Sequence, residues 1–279
     1  MESGKDGSDG TRSNLWTVIA IAIVAYAGCD MAHEVLGHGV ACLLVGVRPL
    51  ALSTVALQTG TSSRLVAAAG SIANVVFGML AMWLFRRGRS FGAGRYFLWL
   101  FGALNLLNGT GYLLFSGLLD IGDWAVVISG HYPHWAWRAF IAAAGAALYI
   151  GAIRLIAGNM ISLVRSGDVS RRDVGRLVFP SYIAGGLLLV AGSALNRIDP
   201  SLVLTSGVSS GFGSMAGLAI VPRIVERRTA GASGAGPGAG ASAAAGPLRP
   251  LPFSRGWVIA GVVVALVFVL VLGPGVRLS

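Results

Sequence analysis

LWTVIAIAIVAYAGCDMAHEVLGHGVACLL, residues 15–44, is an apolar run with four ionisable side chains set into it: Asp30, His33, Glu34 and His38. The run is longer than the ~20 residues a helix needs to cross a bilayer. An ionisable group at the centre of a bilayer costs about 2.5–3.5 kcal/mol on insertion scales, so such groups persist where they have a function. The stretch therefore predicts a membrane helix that carries a working polar cluster.

Outward from it, six further apolar runs follow at about 65–85, 96–119, 137–157, 179–195, 201–221 and 257–273. Of all 279 residues, 55% are hydrophobic and 11% charged, against about 25% charged in ordinary soluble domains. A soluble globular enzyme is excluded, and the fold class expected is an all-α polytopic membrane protein with six to seven transmembrane helices. Between the first two helices, VRPLALSTVALQTGTSSRL (47–65) has no helical stripe and alternates as a short hairpin or membrane-dipping segment does. The sixth run, SLVLTSGVSSGFGSMAGLAIV, is rich in Gly and Ser and reads equally as a closely packed helix or an interrupted one.

The organisation expected is a polar tail at 1–14, a core at 15–130 that holds the ionisable cluster, and additional membrane helices at 131–228. A Gly/Ala/Pro linker at 229–255 and a C-terminal helix at 256–279 complete it. The linker composition is that of a flexible chain, so the last helix is expected to be tethered rather than integral to the core. The polar tail has no cationic n-region and no small-residue cleavage site follows it, so the first helix is expected to be retained.

The net charge is +10, from 20 Arg and one Lys against 11 acidic residues. No basic-plus-aromatic nucleic-acid module is present, so no nucleic-acid partner is expected; the arginines mark topology and lipid headgroups. Arg86, Arg87, Arg89 and Arg95 share one loop, Arg165, Arg171, Arg172 and Arg176 another, and Arg223, Arg227, Arg228, Arg249 and Arg255 the linker region. On a seven-helix path all three fall on one side with the N-terminus, which the positive-inside rule makes cytoplasmic. The excess of Arg over Lys, with much Ala, Gly and Val, suggests a bacterial plasma membrane.

Four of the eleven acidic residues, Asp30, Glu34, Asp120 and Asp123, lie in or at the ends of apolar segments, and His33 and His38 lie beside the first two. Arginine is nearly absent there, so a bound cation explains the cluster better than ion pairing does. Imidazole and carboxylate ligands with a neighbouring carboxylate base suit Zn2+ and a water it activates. The histidines stand at i and i+5, about 140° apart on a regular helix, whereas the zinc-protease pattern H-E-x-x-H sets them at i and i+4. Either the helix widens by one residue near Gly37, as a π-bulge allows, or Glu34 and His38 form the ligand pair.

With these residues in view, the chain resembles the site-2-protease family of intramembrane zinc metalloproteases, over about residues 25–130. HEVLGHG (His33–Gly39) is similar to that family's H-E-x-G-H, with one residue more. AAGSIANVV (Ala68–Val76) is similar to its G-x-x-x-N helix, with Gly70 and Asn74 in those positions. NLLNGTGYLLFSGLLDIGDW (Asn105–Trp124) resembles its N-x-x-P…D-G segment, with Asn108 in place of Pro and no Gly after either aspartate. The stretch 48–63 sits where the family places a substrate-aligning hairpin. The resemblance implies that His33, His38 and an aspartate of the third helix, Asp123 or alternatively Asp120, bind one Zn2+ per chain. It further implies that Glu34 is the general base and that Asn74 lines the site or steadies the peptide and the developing oxyanion; Asn105 reads as a further contact to the peptide, and Asp30 as support for the ligands from behind. The expected activity is hydrolysis of membrane-protein or peptide substrates within the bilayer.

HYPHW (His131–Trp135) reads as an interfacial aromatic cluster rather than a second metal contact, and Cys42 as a small buried residue. Two other functions compete. A di-iron desaturase or hydroxylase allows His at i and i+5 but resembles proteins with about eight histidine ligands, and this chain has four. A non-enzymatic metal-binding or transport protein needs no conventional His box.

Overall fold

The computed structural model describes residues 12–196, 203–230 and 248–278. Most of the polar tail, residues 231–247 of the linker and the start of the sixth apolar run lie outside these. Among the described residues, seven helices are long and apolar enough to cross a bilayer: α1 (Leu15–Val45), α2 (Arg64–Arg87), α3 (Ala93–Leu119), α5 (His134–Arg165), α6 (Arg171–Ala194), α7 (Gly207–Ala230) and α8 (Arg255–Leu272). A short α4 (Asp123–Ile128) lies between α3 and α5. Each long helix contains one of the predicted apolar runs or most of it. α6 begins eight residues before its run, because Arg171–Leu177 continue the same helix past the apolar stretch.

Side-chain oxygens start three of these helices. Asn14 accepts from the Thr17 amide at 3.1 Å, Ser63 from the Val66 amide at 3.5 Å and Ser170 from the Asp173 amide at 3.1 Å. Each satisfies an amide left over at a helix start, which is worth about 1 kcal/mol. The core between α1, α3, α5 and α6 is filled by Tyr26, Tyr96 and Trp99, all almost fully buried. Tyr96 Oη donates to the Leu177 carbonyl at 2.7 Å and Trp99 Nε1 to the Ile156 carbonyl at 3.2 Å. Tyr96 and Trp99 thus keep their polar tips paired, as a water-free interior favours, whereas Tyr26 Oη is buried without a hydrogen-bond partner among the described residues. Gly185 of α6 is the counterpart of Tyr26: a Cβ there would stand 2.0 Å from the ring.

The chain ends gather at opposite ends of the bundle. At one end Ser13 donates through Oγ to Asp173 at 2.5 Å, and its carbonyl accepts from Arg176. Leu251, just before α8, donates its amide to Ser13 Oγ at 3.0 Å. The opposite end carries a small sheet in the order β2-β1-β3, formed by β1 (Pro49–Leu52), β2 (Leu57–Thr59) and β3 (Val276–Arg277), all antiparallel. The hairpin expected between the first two helices is therefore present. Its turn is closed by the Ser53 amide on the Ala56 carbonyl at 3.1 Å.

Two readings change or sharpen. The last helix is not merely tethered: Gly261 of α8 lies on Ala20 of α1, Phe268 is 2% exposed, and the strand after α8 pairs with β1. A Gly/Ala/Pro linker determines how freely a helix is delivered, and the small residues on the helix determine how closely it docks. The Gly/Ser-rich sixth run is interrupted. It is a π-helix over Val203–Gly213, a turn at Ser214 and Met215, and an α-helix over Ala216–Ala230.

Candidate metal centre

α1 does not remain regular through the His box. Between α-helical Leu15–Met31 and Val40–Val45, residues Ala32–Gly39 form a π-helix. Hydrogen bonds from i to i+5 bring residues five apart over one another, and His33 and His38 are five apart. Their rings meet edge to face with centroids 4.7 Å apart. Of the two alternatives left by the sequence, the widened helix is the one found.

Two glycines let α2 approach this widened turn. A Cβ on Gly37 would stand 2.6 Å from Gly70 Cα, and a Cβ on Gly70 would stand 2.6 Å from His33 Nε2 and 2.7 Å from His38 Cε1. Any other residue at either position would push the helices apart or collide with the rings. The third group arrives from beyond α3. Asp120 ends that helix in the left-handed conformation (φ 58°), and Gly122 follows at φ 80°, a region open to glycine. That reversal starts α4 with Asp123 turned back onto the histidines.

His33 Nε2 lies 3.0 Å and His38 Nε2 3.5 Å from Asp123 Oδ2. One donor atom from each of the three residues lies within 4.8 Å of the others. Ligands about 2.0–2.1 Å from a tetrahedral metal ion stand ~3.3 Å apart, and the two His–Asp distances bracket that value, so the group could hold a metal ion.

The outer partners decide which ring nitrogens are available. Asn74 donates through Nδ2 to the Cys29 carbonyl at 3.2 Å and to Asn105 Oδ1 at 2.8 Å. Its Oδ1 must then be the atom facing His33 Nδ1 at 2.6 Å, and it also accepts from Asn108 Nδ2 at 3.1 Å. His38 Nδ1 lies 2.6 Å from the Val66 carbonyl, which can only accept. Both rings therefore carry a proton on Nδ1, and in the neutral form both present the Nε2 lone pair to Asp123. Two lone pairs and a carboxylate oxygen repel unless a proton or a metal ion sits among them. A carbonyl or amide oxygen on the far nitrogen of each ring is also the usual support of a ligating histidine.

Glu34 is buried, and its Oε2 accepts the Leu57 amide of β2 at 2.6 Å. The carboxylate is thereby tied to the hairpin while Oε1 is left to other partners. Asp30 Oδ2 is buried with no hydrogen-bond partner among the described residues, one turn before the cluster. Asn74 and Asn105, read in sequence as peptide contacts, are fully buried behind His33. Asp120 faces elsewhere, paired with His134 at 2.9 Å and with Arg138 at 3.8 Å. His131 meets Trp137 edge to face, so neither remaining histidine joins the triad. Cys42 is fully buried.

Sequence reading passed over three contributors: the Val66 carbonyl, Asn108 and Tyr112, whose ring lies 4.9 Å from that of His33. A signal for the last two was present, since Asn105, Asn108 and Tyr112 recur at i, i+3 and i+7, one face of α3. Comparison with protein-family models, curated proteins and solved structures finds no match for the chain.

Proposed function

We propose that this is an integral-membrane zinc metallopeptidase that hydrolyses peptide bonds of membrane-embedded substrates. The observation that carries the reading is the convergence of His33 Nε2, His38 Nε2 and Asp123 Oδ2 with both Nδ1 protons already committed. Zinc held there supplies Lewis acidity toward water and toward a peptide carbonyl. Glu34, adjacent in sequence to His33, takes the proton of the attacking water on Oε1 and delivers it to the leaving amine, while Oε2 stays on the Leu57 amide. Asn74 and the Val66 carbonyl hold the two rings in the tautomer that ligates.

The hairpin offers a place for an unwound substrate. β1 is paired on both sides, by β2 and β3, so the open edges of the sheet belong to β2 and β3, and the β2 edge is the one beside Glu34. The Leu57 amide points away from β1, toward Glu34, and a peptide added along that edge as a strand passes beside the base. The arginine-rich loops and the N-terminus share one end of the bundle, which the positive-inside rule places in the cytoplasm of a bacterial cell. The metal centre then lies toward the outer face.

Glu34→Gln tests the chemistry. The amide oxygen of Gln can still accept from Leu57, so zinc content is retained, and cleavage of a membrane peptide falls by at least ~100-fold, the scale of a lost general base. Undiminished cleavage by the variant would contradict the mechanism.

A further inference from the structure

A cavity of about 360 Å³ lies between α3, α5 and the interrupted α7, and its walls are apolar apart from tyrosine and serine hydroxyls. One wall is Tyr112, the residue whose ring faces His33 at 4.9 Å. The cavity is linked to the metal ligand by two routes. Tyr112 hydrogen-bonds Ser210 of α7, and Ser214 Oγ donates to Asn108 at 3.2 Å, which donates to Asn74, the acceptor of the His33 proton. At its outer side the rim is formed by Leu118, Gly213 and Ile220, which are exposed on the flank of the bundle, where a bilayer lies.

The occupant follows from lining and position. The walls are apolar and bounded by helices, and a space of about 360 Å³ takes a large apolar side chain. The space runs from the lipid-facing flank to a side chain in contact with His33, so what it receives comes from the membrane and ends beside the metal. We propose that this cavity is the subsite for one bulky apolar side chain of a membrane-embedded peptide, next to the bond presented to the metal centre. The proposal rests on the peptidase reading, and it assigns to that enzyme a preference for Leu, Met or Phe over Ala at one position.

Gly213 provides the test, because a Cβ there meets nothing within 4 Å. Gly213→Leu fills the mouth without disturbing packing, and unchanged thermal unfolding and zinc content verify that the variant is folded. The probe is a synthetic Leu/Ala transmembrane peptide with one benzoylphenylalanine, photolysed with zinc-loaded Glu34→Gln protein so that labelling needs no turnover. Labelling on α3 and α7, reduced about tenfold or more by Gly213→Leu, is the expected result. Labelling on other helices, no labelling, or labelling that Gly213→Leu leaves unchanged overturns the subsite. So does labelling of the cavity by a benzophenone-tagged phospholipid acyl chain that the peptide fails to displace. Labelling as expected without cleavage by the wild-type protein would instead overturn the peptidase reading and leave a peptide-binding cavity.

Discussion

Asn74 Oδ1 lies 2.6 Å from His33 Nδ1, and because the Asn74 amide nitrogen is already donating to the Cys29 carbonyl, this contact determines which ring nitrogen keeps its proton. The ligating face of His33 is thus set by a residue of α2 that itself reaches no further into the site. Asn74→Ala removes the acceptor and lets the ring turn or change tautomer. The expected effect is a loss of ~10–100-fold in metal affinity, read by competition with a chelator. Asn74→Asp, which keeps an oxygen at the same place, retains more affinity than the Ala variant. Equal affinity in all three proteins would show that His33 is oriented by something else.

Gly70→Ala separates helix propensity from close approach. In an exposed helix this change stabilises by roughly 0.5–1 kcal/mol. Here the added methyl group would stand 2.6–2.7 Å from both histidine rings, so metal binding is lost while helical content by circular dichroism is kept. An Ala variant that binds metal like the wild type would mean that α2 does not press on the rings.

The π-helix makes a sharper test possible. Its single extra residue is what lets histidines five apart in sequence stack. Deleting Leu36, which is 48% exposed, places the histidines four apart, where a regular α-helix stacks them. Metal binding is expected to survive the deletion, measured as zinc bound per folded chain, and to be lost when Leu36 is kept and an additional Ala is inserted after it. Loss in both would indicate that the widened turn itself, rather than the stacking, is required.

Asp120 and Asp123 are three residues apart and lead to different outcomes. Asp123→Asn releases the metal, while Asp120→Asn leaves zinc content unchanged and only breaks the pairing with His134 and Arg138. Those partners are about one-third exposed, and an ion pair so open to solvent is worth ~0–1 kcal/mol, so the Asp120 variant stays folded. Reversal of the two phenotypes would move the third ligand.

The seven membrane helices were legible because the bilayer imposes a length, about 20 apolar residues, that the chain meets seven times. The hairpin was legible from Pro49, the alternation after it and the lack of a helical stripe. His33 and His38 could be picked out as costly residues in an apolar helix, but the choice between a widened turn and a regular one could not be made. That choice depends on Gly37 meeting Gly70, a contact between glycines on different helices. Asp123 follows Gly122, and the positive φ at Asp120 and Gly122 is the geometry that turns it onto the histidines. What escaped was the layer behind the ligands. Asn74 and Asn105 read as substrate contacts because polar side chains in a membrane helix signal function, yet sequence cannot say whether a side chain faces the cavity or the back of a histidine. The docking of α8 escaped for a related reason, since Gly261 on Ala20 is a fit between surfaces and leaves no periodic trace.

The most direct measurement is elemental analysis of the purified protein beside His38→Ala and Asp123→Ala. About one zinc per wild-type chain, and none in either variant, is the result that the convergence of α1 and α4 on one ion predicts. Folded wild-type protein that takes up no divalent metal, or variants that retain it in full, would contradict a metal centre at His33, His38 and Asp123.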